Sequence, residues 1–494
     1  MLLDVLVDRR DDARDLPVLG SLVGGRLADP SSDGLIDVTD PATGRPLARI
    51  EDAGPAGVDA AVAAATAAAR DWRRTPARER GALVATLAEA ITAQAERLAT
   101  LDTLDTGNPI TAMRTDVAKG ARLMSETAGL ALEVKGETFP LPGLHYTVRE
   151  PWGVVGRMIT FNHPTMFTAA RLGAALVAGN TVVLKPSELA PLSALAIGEV
   201  AAGVLPAGVV NVVIGGPATG AALVAHPSIE RLSFTGSTAT ALRIQAAAAA
   251  SGRVKTVTFE LGGKNPIVVF DDVDLDEAAA AVVRGMNFTR VQGQSCGSTS
   301  RLIAHRSIAA PLLERVADRA GRIRIGPPLD EATEMGSLIS TAARDRCIDL
   351  VGDAVRGGAR LVAGGAAPRD ADLAGGAYLA PTVVDAVPDG TPLAEEEVFG
   401  PVLTATTFDD EDEAISLANA GRYGLTAAIW TSDIDRALRL TDAIEAGYIW
   451  VNDVETRFPA VPFGGWKDSG VGSEHGIDEI RSFTRVKAVN VRVR

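Results

Sequence analysis

The most constraining feature of this sequence is a regular alternation of short β-branched runs and alanine-rich stretches in its second quarter. Three runs, at 153–156, 181–184 and 209–214, have the length and composition of buried strands. The stretches at 168–177 and 192–202 have the composition of helices. Strands that alternate with helices predict βαβ units and a parallel sheet. Such sheets bind ligands at the carboxyl ends of their strands.

A second alternating region follows Glu260. Its strand candidates lie at 266–270, 404–408 and 427–431, and a helix is predicted at 276–285. This pattern predicts a second α/β domain. A chain of 494 residues with 47% hydrophobic content is long enough to give both domains a substantial core.

The segments around these two regions predict helices and an edge strand. Alanine and leucine recur at helical spacing with charged residues at 55–72 and 77–101, which predicts two amphipathic helices. The segment 132–150 is irregular, and the tail at 488–493 alternates like an edge strand. Because an unpaired edge favours association, we expect the chain to oligomerise.

Charge and composition limit the partners of the chain. A net charge of −14 argues against nucleic acid, because phosphate binding needs a clustered basic surface. No apolar run reaches the roughly 20 residues that span a bilayer. Residues 1–10 place acids inside a short apolar run and lack the features of a secretory signal. We therefore expect neither a membrane nor a nucleic acid as partner.

The two cysteines, Cys296 and Cys347, are too few for a disulfide framework. They fit a reducing compartment, so we expect a cytoplasmic location. Cys296 lies among glycines, 36 residues after Glu260, which itself follows a strand candidate and precedes two glycines. A thiol and a carboxylate in such frames predict a nucleophile and a general base. Taken alone, a cysteine is more often a buried packing residue, and a strand-end acid such as Glu260 can simply face water.

Several segments in order resemble the motifs of the aldehyde dehydrogenase superfamily, of the NAD(P)-dependent, hydrolytic type. The two main ones are 292–297, Gln-Gly-Gln-Ser-Cys-Gly, and 259–264, Phe-Glu-Leu-Gly-Gly-Lys. Further similar motifs lie at 160–164, 184–188, 234–238, 395–401 and 462–470. The resemblance therefore extends over nearly the whole chain.

The resemblance implies a fold of two α/β domains and an arm. Residues 1–131 and 149–259 would form a Rossmann-like NAD-binding domain, and residues 260–465 a catalytic domain that carries the nucleophilic cysteine. Residues 132–148 and 466–494 would form a small β oligomerisation arm and the C-terminal tail, in a homodimer or homotetramer.

By the same resemblance, Cys296 attacks an aldehyde and passes through a thiohemiacetal and a thioester. Asn162 donates to the oxyanion, a role that suits an amide because it donates at any pH. Glu260 activates the water that hydrolyses the thioester. In isolation, an Asn before an X-Pro pair is commonly a turn residue.

The resemblance also implies a site for NAD and a tunnel for the aldehyde. A carboxylate at Glu188 accepts hydrogen bonds from ribose hydroxyls and repels a 2′-phosphate, so NAD is expected to be preferred over NADP. No metal is expected. The cofactor residues are expected to be Lys185, Ser187, Glu188, Gly236, Ser237, Gly262, Glu397 and Phe399. The tunnel residues are expected to be Met166, Ala170, Ser295, Gly297, Arg457 and Phe463.

The substrate expected from these tunnel residues is a medium-sized apolar or aromatic aldehyde. Arg457 allows an acidic substrate, yet loop arginines are more often solvated or salt-bridged. Two other functions stay open. A semialdehyde dehydrogenase that passes the thioester to coenzyme A would not need Glu260, and a non-catalytic structural or ligand-binding protein of this fold would need neither Glu260 nor Cys296.

Overall fold

The computed structural model describes residues 16–30 and 34–492. Residues 1–10, for which we predicted no secretory signal, lie outside the described residues. The first described elements are a small three-stranded sheet, in the order β1-β5-β4, and a strand pair that joins the next sheet. These strands are β1 (Val18–Leu19), β2 (Leu22–Val23), β3 (Arg26–Leu27), β4 (Leu35–Thr39) and β5 (Pro46–Glu51).

Four long helices follow, and they confirm the helical prediction with one correction. They are α1 (Gly54–Arg74), α2 (Ala77–Thr92), α3 (Ala95–Thr106) and α4 (Ile110–Gly129), with a 3₁₀ turn at Ala131–Glu133. The single helix predicted at 77–101 is wrong, because the chain breaks between α2 and α3. Gln94 leaves helical geometry there, with φ −104° and ψ 14°. Neither proline nor glycine marks this break.

The first large sheet confirms the predicted βαβ units. Its parallel strands are β8 (Val154–Met158), β9 (Thr181–Lys185), β10 (Val210–Val212), β11 (Arg231–Thr235) and β12 (Thr256–Glu260). The helices that alternate with them are α5 (Pro164–Val177), α6 (Leu192–Ala202), α7 (Pro217–Ala225) and α8 (Thr238–Ala250). The strands and helices are rich in buried aliphatic side chains, which form the core of this domain.

Strand order decides where this sheet binds a ligand. Within the described residues the order is β22-β12-β11-β8-β9-β10-β2-β3, with β22 (Gly470–Val471) antiparallel at one edge. From β8 the chain builds outward through β9 and β10, then returns to β11 and β12 on the other side. The direction in which strands are added therefore reverses between the neighbouring strands β8 and β11, which makes this position a topological switch point. In such sheets, ligands bind at the carboxyl ends of the strands at the switch point.

The second α/β domain contains a seven-stranded sheet within the described residues, in the order β15-β16-β17-β14-β13-β19-β20. Its strands are β13 (Pro266–Val269), β14 (Arg301–His305), β15 (Arg360–Ala363), β16 (Thr382–Asp385), β17 (Val402–Phe408), β19 (Thr426–Trp430) and β20 (Tyr448–Val451). Only the pairing of β15 with β16 is antiparallel among these. The strands predicted at 266–270, 404–408 and 427–431 are confirmed.

Helices and short elements complete this domain. The helices are α9 (Leu275–Gly285), α10 (Phe288–Val291), α11 (Arg306–Gly321), α12 (Thr341–Arg356), α13 (Pro392–Glu395), α14 (Glu411–Asn419) and α15 (Ile434–Ala443), with a 3₁₀ turn at Ala371–Leu373. The helix predicted at 276–285 is confirmed by α9. A two-stranded pair joins β18 (Tyr423–Gly424) and β21 (Trp466–Lys467).

The remaining sheet is an arm of three strands within the described residues, in the order β23-β7-β6. The strands are β6 (Thr138–Phe139), β7 (Leu144–Pro151) and β23 (Thr484–Val491), and α16 (Gly476–Ser482) precedes the last of them. Strands β7 and β23 pair antiparallel along their full length. The segment 466–494, predicted as arm and tail, thus supplies β22 to the first sheet and β23 to the arm.

Candidate active site

Three neighbouring cavities run along the carboxyl edge of the first sheet into the second domain. The outer groove contains Lys185, Ser187 and Glu188 in its wall. The central pocket is lined by Asn162, Ser237, Glu260, Gly262, Cys296, Glu397 and Phe399. The side cavity is lined by Lys119, His163, Met166, Phe167, Asn287, Arg290, Ser295, Cys296, Gly297, Glu455 and Arg457.

Shared walls connect the three cavities. Thr160, Thr235 and Gly236 line both the outer groove and the central pocket. These residues follow β8 and end β11, at the switch point of the first sheet. Cys296 lines both the central pocket and the side cavity. The thiol therefore lies where the two cavities meet.

The loop that carries Cys296 is fixed at both sides of the thiol. The side-chain amide of Asn162 donates to the Gln294 carbonyl at 2.8 Å. The side-chain amide of Asn265 donates to the Cys296 carbonyl, also at 2.8 Å. Cys296 is partly exposed and unpaired, whereas Cys347 is buried. Such anchoring keeps the thiol in one position relative to the first domain.

Burial strongly affects the acidity of the Cys296 thiol. Loss of solvation raises its pKa to about 11, and the positive charge of Arg457 opposes this rise. The carboxylates of Glu397 and Glu260 raise the pKa further. Without a ligand, the group is therefore a protonated thiol at neutral pH.

Asn162 is buried beside the thiol. Its backbone carbonyl accepts a hydrogen bond from Asn108 Nδ2 at 3.1 Å, and its own side-chain amide uses one hydrogen on Gln294. A primary amide carries two hydrogens, so the second one remains for a ligand oxygen in the central pocket.

Glu260 ends β12 and is buried at the wall of the same pocket. Its Oε2 has no hydrogen-bond partner among the described residues. Burial raises the pKa of this carboxyl well above its usual range, and the nearby negative charge of Glu474 adds to the rise. A raised pKa in a cleft is typical of a group that takes part in proton transfer.

A buried ionic cluster lies next to Glu260, and sequence analysis missed it. Arg157 pairs with Glu479 at 3.2 Å, and Arg171 pairs with Glu474. Burial raises the pKa of Glu474 to about 7. The partners are separated by about three hundred residues in sequence, so no local pattern marks them.

The predicted cofactor residues at the end of β9 lie together in the outer groove. Lys185 Nζ donates to the Pro186 carbonyl at 3.0 Å and pairs with Glu188 at 3.4 Å. Burial lowers the pKa of Lys185. Ser187 accepts a hydrogen bond from the Leu189 amide at 3.2 Å. The pairing leaves the Glu188 carboxylate at the surface of the groove, where its side chain is 35% exposed.

Gly236 and Ser237 join the end of β11 to the start of α8. Ser237 is the N-cap, and its hydroxyl accepts from the Thr240 amide at 3.3 Å. The helix therefore begins at the wall shared by the outer groove and the central pocket. Such a terminus attracts phosphate groups.

The second domain contributes Glu397 and Phe399 to the central pocket. Glu397 Oε1 accepts a hydrogen bond from the Gly263 amide at 3.1 Å. A Cβ on Gly262 would lie 2.0 Å from Glu397 Oε2, so only glycine allows this close approach. Burial raises the pKa of Glu397 to about 7. Phe399 packs edge-on against Phe161 at 5.7 Å between ring centres.

These residues fit a bound dinucleotide. The outer groove offers a carboxylate and a lysine, its inner end offers a helix N-terminus, and the central pocket offers a glycine-lined slot beside Cys296. The order matches adenosine, pyrophosphate and nicotinamide along one ligand. Among the described residues, no group of three or more His, Cys, Asp or Glu side chains is arranged to hold a metal ion.

The predicted tunnel residues are only partly brought together. Met166, Ser295, Gly297 and Arg457 line the side cavity. Ala170 instead lines a separate cavity with Arg171 and His475. The structure places Phe463 beneath the Arg457 guanidinium, 3.9 Å from the ring centre. Sequence analysis missed Lys119, Arg290 and Glu455, which also line the side cavity.

The model of the aldehyde dehydrogenase family matches residues 28–489 of the chain. The chain belongs to this family. It is 42% identical over 479 residues to the aldehyde dehydrogenase tropH of Talaromyces stipitatus. The match covers 95% of this chain and 92% of tropH. The family match establishes an NAD-dependent aldehyde dehydrogenase.

Solved structures confirm the predicted fold of this aldehyde dehydrogenase. PnpE of Pseudomonas sp. WBC-3, in complex with nicotinamide adenine dinucleotide, is 41% identical, with a TM-score of 0.93. The match covers 96% of this chain and 98% of PnpE. An NAD-dependent aldehyde dehydrogenase from Sinorhizobium meliloti is 36% identical, with a TM-score of 0.93. This match covers 98% of this chain and 96% of the Sinorhizobium protein.

No helix within residues 16–30 and 34–492 combines the length and apolarity that crossing a membrane requires.

Proposed function

We propose that this aldehyde dehydrogenase works through a covalent bond between Cys296 and its substrate, and that Glu260 releases the product as a carboxylic acid. The observation that carries the proposal is the common wall of the central pocket, which contains Cys296, Asn162 and Glu260. A nucleophile, an oxyanion donor and a base around one carbonyl are what acyl transfer to water requires.

In the first step, Cys296 Sγ bonds to the aldehyde carbon and gives a thiohemiacetal. The free amide hydrogen of Asn162 donates to the oxygen, which gains negative charge as the bond forms. The positive charge of Arg457 favours the reactive thiolate over the thiol. The fold thus supplies the nucleophile from one segment and part of its activation from a distant one.

NAD, when bound, accepts the hydride that the substrate carbon loses. The chain holds the cofactor through Lys185, Glu188 and Glu397, and Gly262 lets Glu397 approach closely. Loss of hydride leaves a thioester on Cys296. Glu260 then takes a proton from water, whose oxygen attacks the thioester and releases the acid and the thiol.

The test of these roles compares two variants by rapid mixing with NAD and an aldehyde. Cys296→Ala is expected to form no NADH. Glu260→Gln is expected to form about one equivalent of NADH per active site and then stall, because the thioester is no longer hydrolysed. Cys347→Ala, which changes the other cysteine outside the three cavities, serves as the control.

Continued turnover of Cys296→Ala, or steady turnover of Glu260→Gln at the wild-type rate, would remove the assigned role. Added coenzyme A provides a further outcome. If turnover of the wild-type enzyme requires coenzyme A, the thioester passes to that thiol and the hydrolytic role of Glu260 is wrong.

NAD is proposed to be preferred over NADP because the Glu188 carboxylate lies at the surface of the outer groove. It would accept hydrogen bonds from ribose hydroxyls and repel an added phosphate. The partial neutralisation of Glu188 by Lys185 lowers the strength of this repulsion without reversing it.

A homo-oligomer is proposed from the arm. Phe139, Leu144 and Val486 on its three strands are 43%, 47% and 59% exposed. Apolar side chains on an open sheet favour pairing with a second copy. A cytoplasmic location is proposed because Cys296 must stay reduced to act, and a reducing compartment keeps it so.

A further inference from the structure

The side cavity is unusually rich in positive charge for a chain whose net charge is −14. Three cations, Lys119, Arg290 and Arg457, line it. Among the described lining residues, Glu455 is the carboxylate that faces them. The cavity opens directly beside the Cys296 thiol, so these charges lie where the rest of an aldehyde substrate would extend.

The charge of Arg290 is already balanced within the protein. Arg290 pairs with the buried Asp116 at 2.7 Å, and the other oxygen of Asp116 is hydrogen-bonded to His163. These contacts hold Arg290 at the wall. Arg290 therefore shapes the cavity wall and adds some positive charge to it, but its main ion-pair partner is Asp116 of the protein itself.

Lys119 and Arg457 have no such partner. Among the described residues, neither side chain forms a hydrogen bond or an ion pair, and Arg457 instead stacks on the Phe463 ring. Burial, together with repulsion from Arg457 and Arg290, lowers the pKa of Lys119 to about 8. Glu455 faces both cations, and burial raises its pKa, which reduces the negative charge it supplies. The positive charge of Lys119 and Arg457 is therefore only partly balanced by Glu455, and an anionic ligand group would balance the rest.

Arg457 also reaches close to the reacting carbon. A Cβ on Gly297 would lie 2.3 Å from Arg457 Nη2, so the missing side chain at 297 makes room for the guanidinium. Gly297 directly follows the nucleophile Cys296. An anionic group that binds Arg457 while Cys296 attacks the aldehyde must therefore be only a few bonds from the carbonyl.

We propose that Arg457 and Lys119 form a carboxylate subsite, and that this enzyme oxidises aldehydes carrying a carboxylate a few carbons from the carbonyl. The proposal rests on the covalent function of Cys296 proposed above and names its substrate class. Oxidation turns the aldehyde group into a second carboxylate: one hydride, which carries both electrons, passes to NAD, the added oxygen comes from water, and two protons are released.

The chemistry of the side cavity favours carboxylated aldehydes over two other substrate classes, apolar or aromatic aldehydes and quaternary ammonium aldehydes. A guanidinium donates two parallel hydrogen bonds to a carboxylate, and a nearby ammonium adds a third contact. An apolar or aromatic aldehyde, as expected from sequence, would cover these two half-buried cations without giving them a partner. A quaternary ammonium aldehyde would be repelled by them and would find only Phe167 and His163 as rings in the cavity wall.

The experiment measures kcat/KM with NAD for succinic and glutaric semialdehyde and for their neutral counterparts, butanal and pentanal. The wild-type enzyme is expected to favour each carboxylated aldehyde by about tenfold or more. Arg457→Gln and Lys119→Met are each expected to lower this ratio by about ten- to a hundredfold. Arg457→Lys keeps the charge but loses the fork and is expected to recover part of the ratio.

The control variant is Arg122→Gln. Arg122 lies on α4 like Lys119, but it is 58% exposed and pairs with Glu126, outside the side cavity. Its ratio is expected to equal that of the wild type. Higher salt is expected to lower the wild-type ratio, because it screens the charges, and to leave the ratio of Arg457→Gln nearly constant.

Three outcomes separate this proposal from the covalent function. Equal kcat/KM for carboxylated and neutral aldehydes in the wild type would overturn the subsite while the function stands. An unchanged ratio in both Arg457→Gln and Arg457→Lys would do the same, provided that both variants unfold at the wild-type temperature. Failure of the wild type to oxidise succinic and glutaric semialdehyde would overturn the subsite, whereas oxidation of any of the four aldehydes by Cys296→Ala would overturn the covalent function on which it rests.

Discussion

At the scale of single residues, burial disfavours the charged forms of both Glu260 and Cys296. Burial raises the pKa of the Glu260 carboxyl and brings the pKa of the Cys296 thiol to about 11. The carboxyl becomes a base and the thiol becomes a nucleophile only when the proton leaves. The reactive fraction of each group therefore increases as pH rises. Arg457 is the described cation that favours loss of the proton from both.

This burial predicts how the hydrolytic step depends on pH. A general base works when ionised, and a raised pKa means that less of Glu260 is ionised at a given pH. The rate of thioester hydrolysis should therefore keep rising with pH through the neutral range. A double-mixing experiment measures it, because the thioester is formed first and the pKa of Cys296 no longer contributes.

Glu260→Gln is expected to abolish this rise with pH. A flat profile in the wild type, or the same slope in Glu260→Gln, would contradict the assignment of the raised pKa to this base.

A second residue-scale prediction concerns Glu188. Replacing it by Gln removes the negative charge and keeps the length of the side chain, so NADP is no longer repelled in the outer groove. The ratio of kcat/KM for NAD to that for NADP is expected to fall by about tenfold or more. Glu199→Gln on α6, away from the outer groove, is the control. No change of the ratio in Glu188→Gln would show that another group selects the cofactor.

The motifs and the family resemblance predicted that Cys296, Asn162 and Glu260 lie in one site, but they did not predict that Lys119 joins Arg457. Glu260 and Gly262 belong to one segment, so their common placement in the central pocket could be predicted. Lys119 and Arg457 come from segments over three hundred residues apart, and nothing in either segment indicates the other. The charge of the side cavity is a property of the folded chain alone.

At the scale of elements, strand ends position the site. The segment after β8 carries Asn162, the end of β9 carries Lys185 and the end of β12 carries Glu260. Because these strands are parallel, their carboxyl ends meet at one edge, which the alternation of strands and helices predicted. The break between α2 and α3 was not predicted, because neither glycine nor proline marks the end of α2.

The arm carries the prediction at this scale. Val486→Glu places a charge on β23, where Val486 is 59% exposed, and is expected to lower the oligomeric state if this face pairs with a second copy. Light scattering after size exclusion measures the mass. Val355→Glu, which adds the same charge to an exposed position on α12, is the control.

A wild-type enzyme that elutes as a monomer would contradict the oligomer. Equal effects of Val486→Glu and Val355→Glu would show that the added charge, and not the arm, alters the assembly.

At the scale of the whole molecule, the proposed active site draws its residues from both α/β regions. The first domain supplies Asn162, Glu260 and the outer groove, and the second supplies Cys296 and Glu397. The two domains could be predicted from sequence because their βαβ patterns are local. Their relative placement could not, because it depends on contacts such as that between Gly263 and Glu397.

The central claim is a thioester on Cys296 that Glu260 hydrolyses. Its most direct test is intact mass spectrometry of Glu260→Gln after incubation with NAD and an aldehyde, followed by peptide mapping. The account predicts a mass increase equal to the acyl group, located on Cys296 and absent when NAD is omitted. An unmodified chain despite NADH formation, or an acyl group on Cys347 instead, would contradict it.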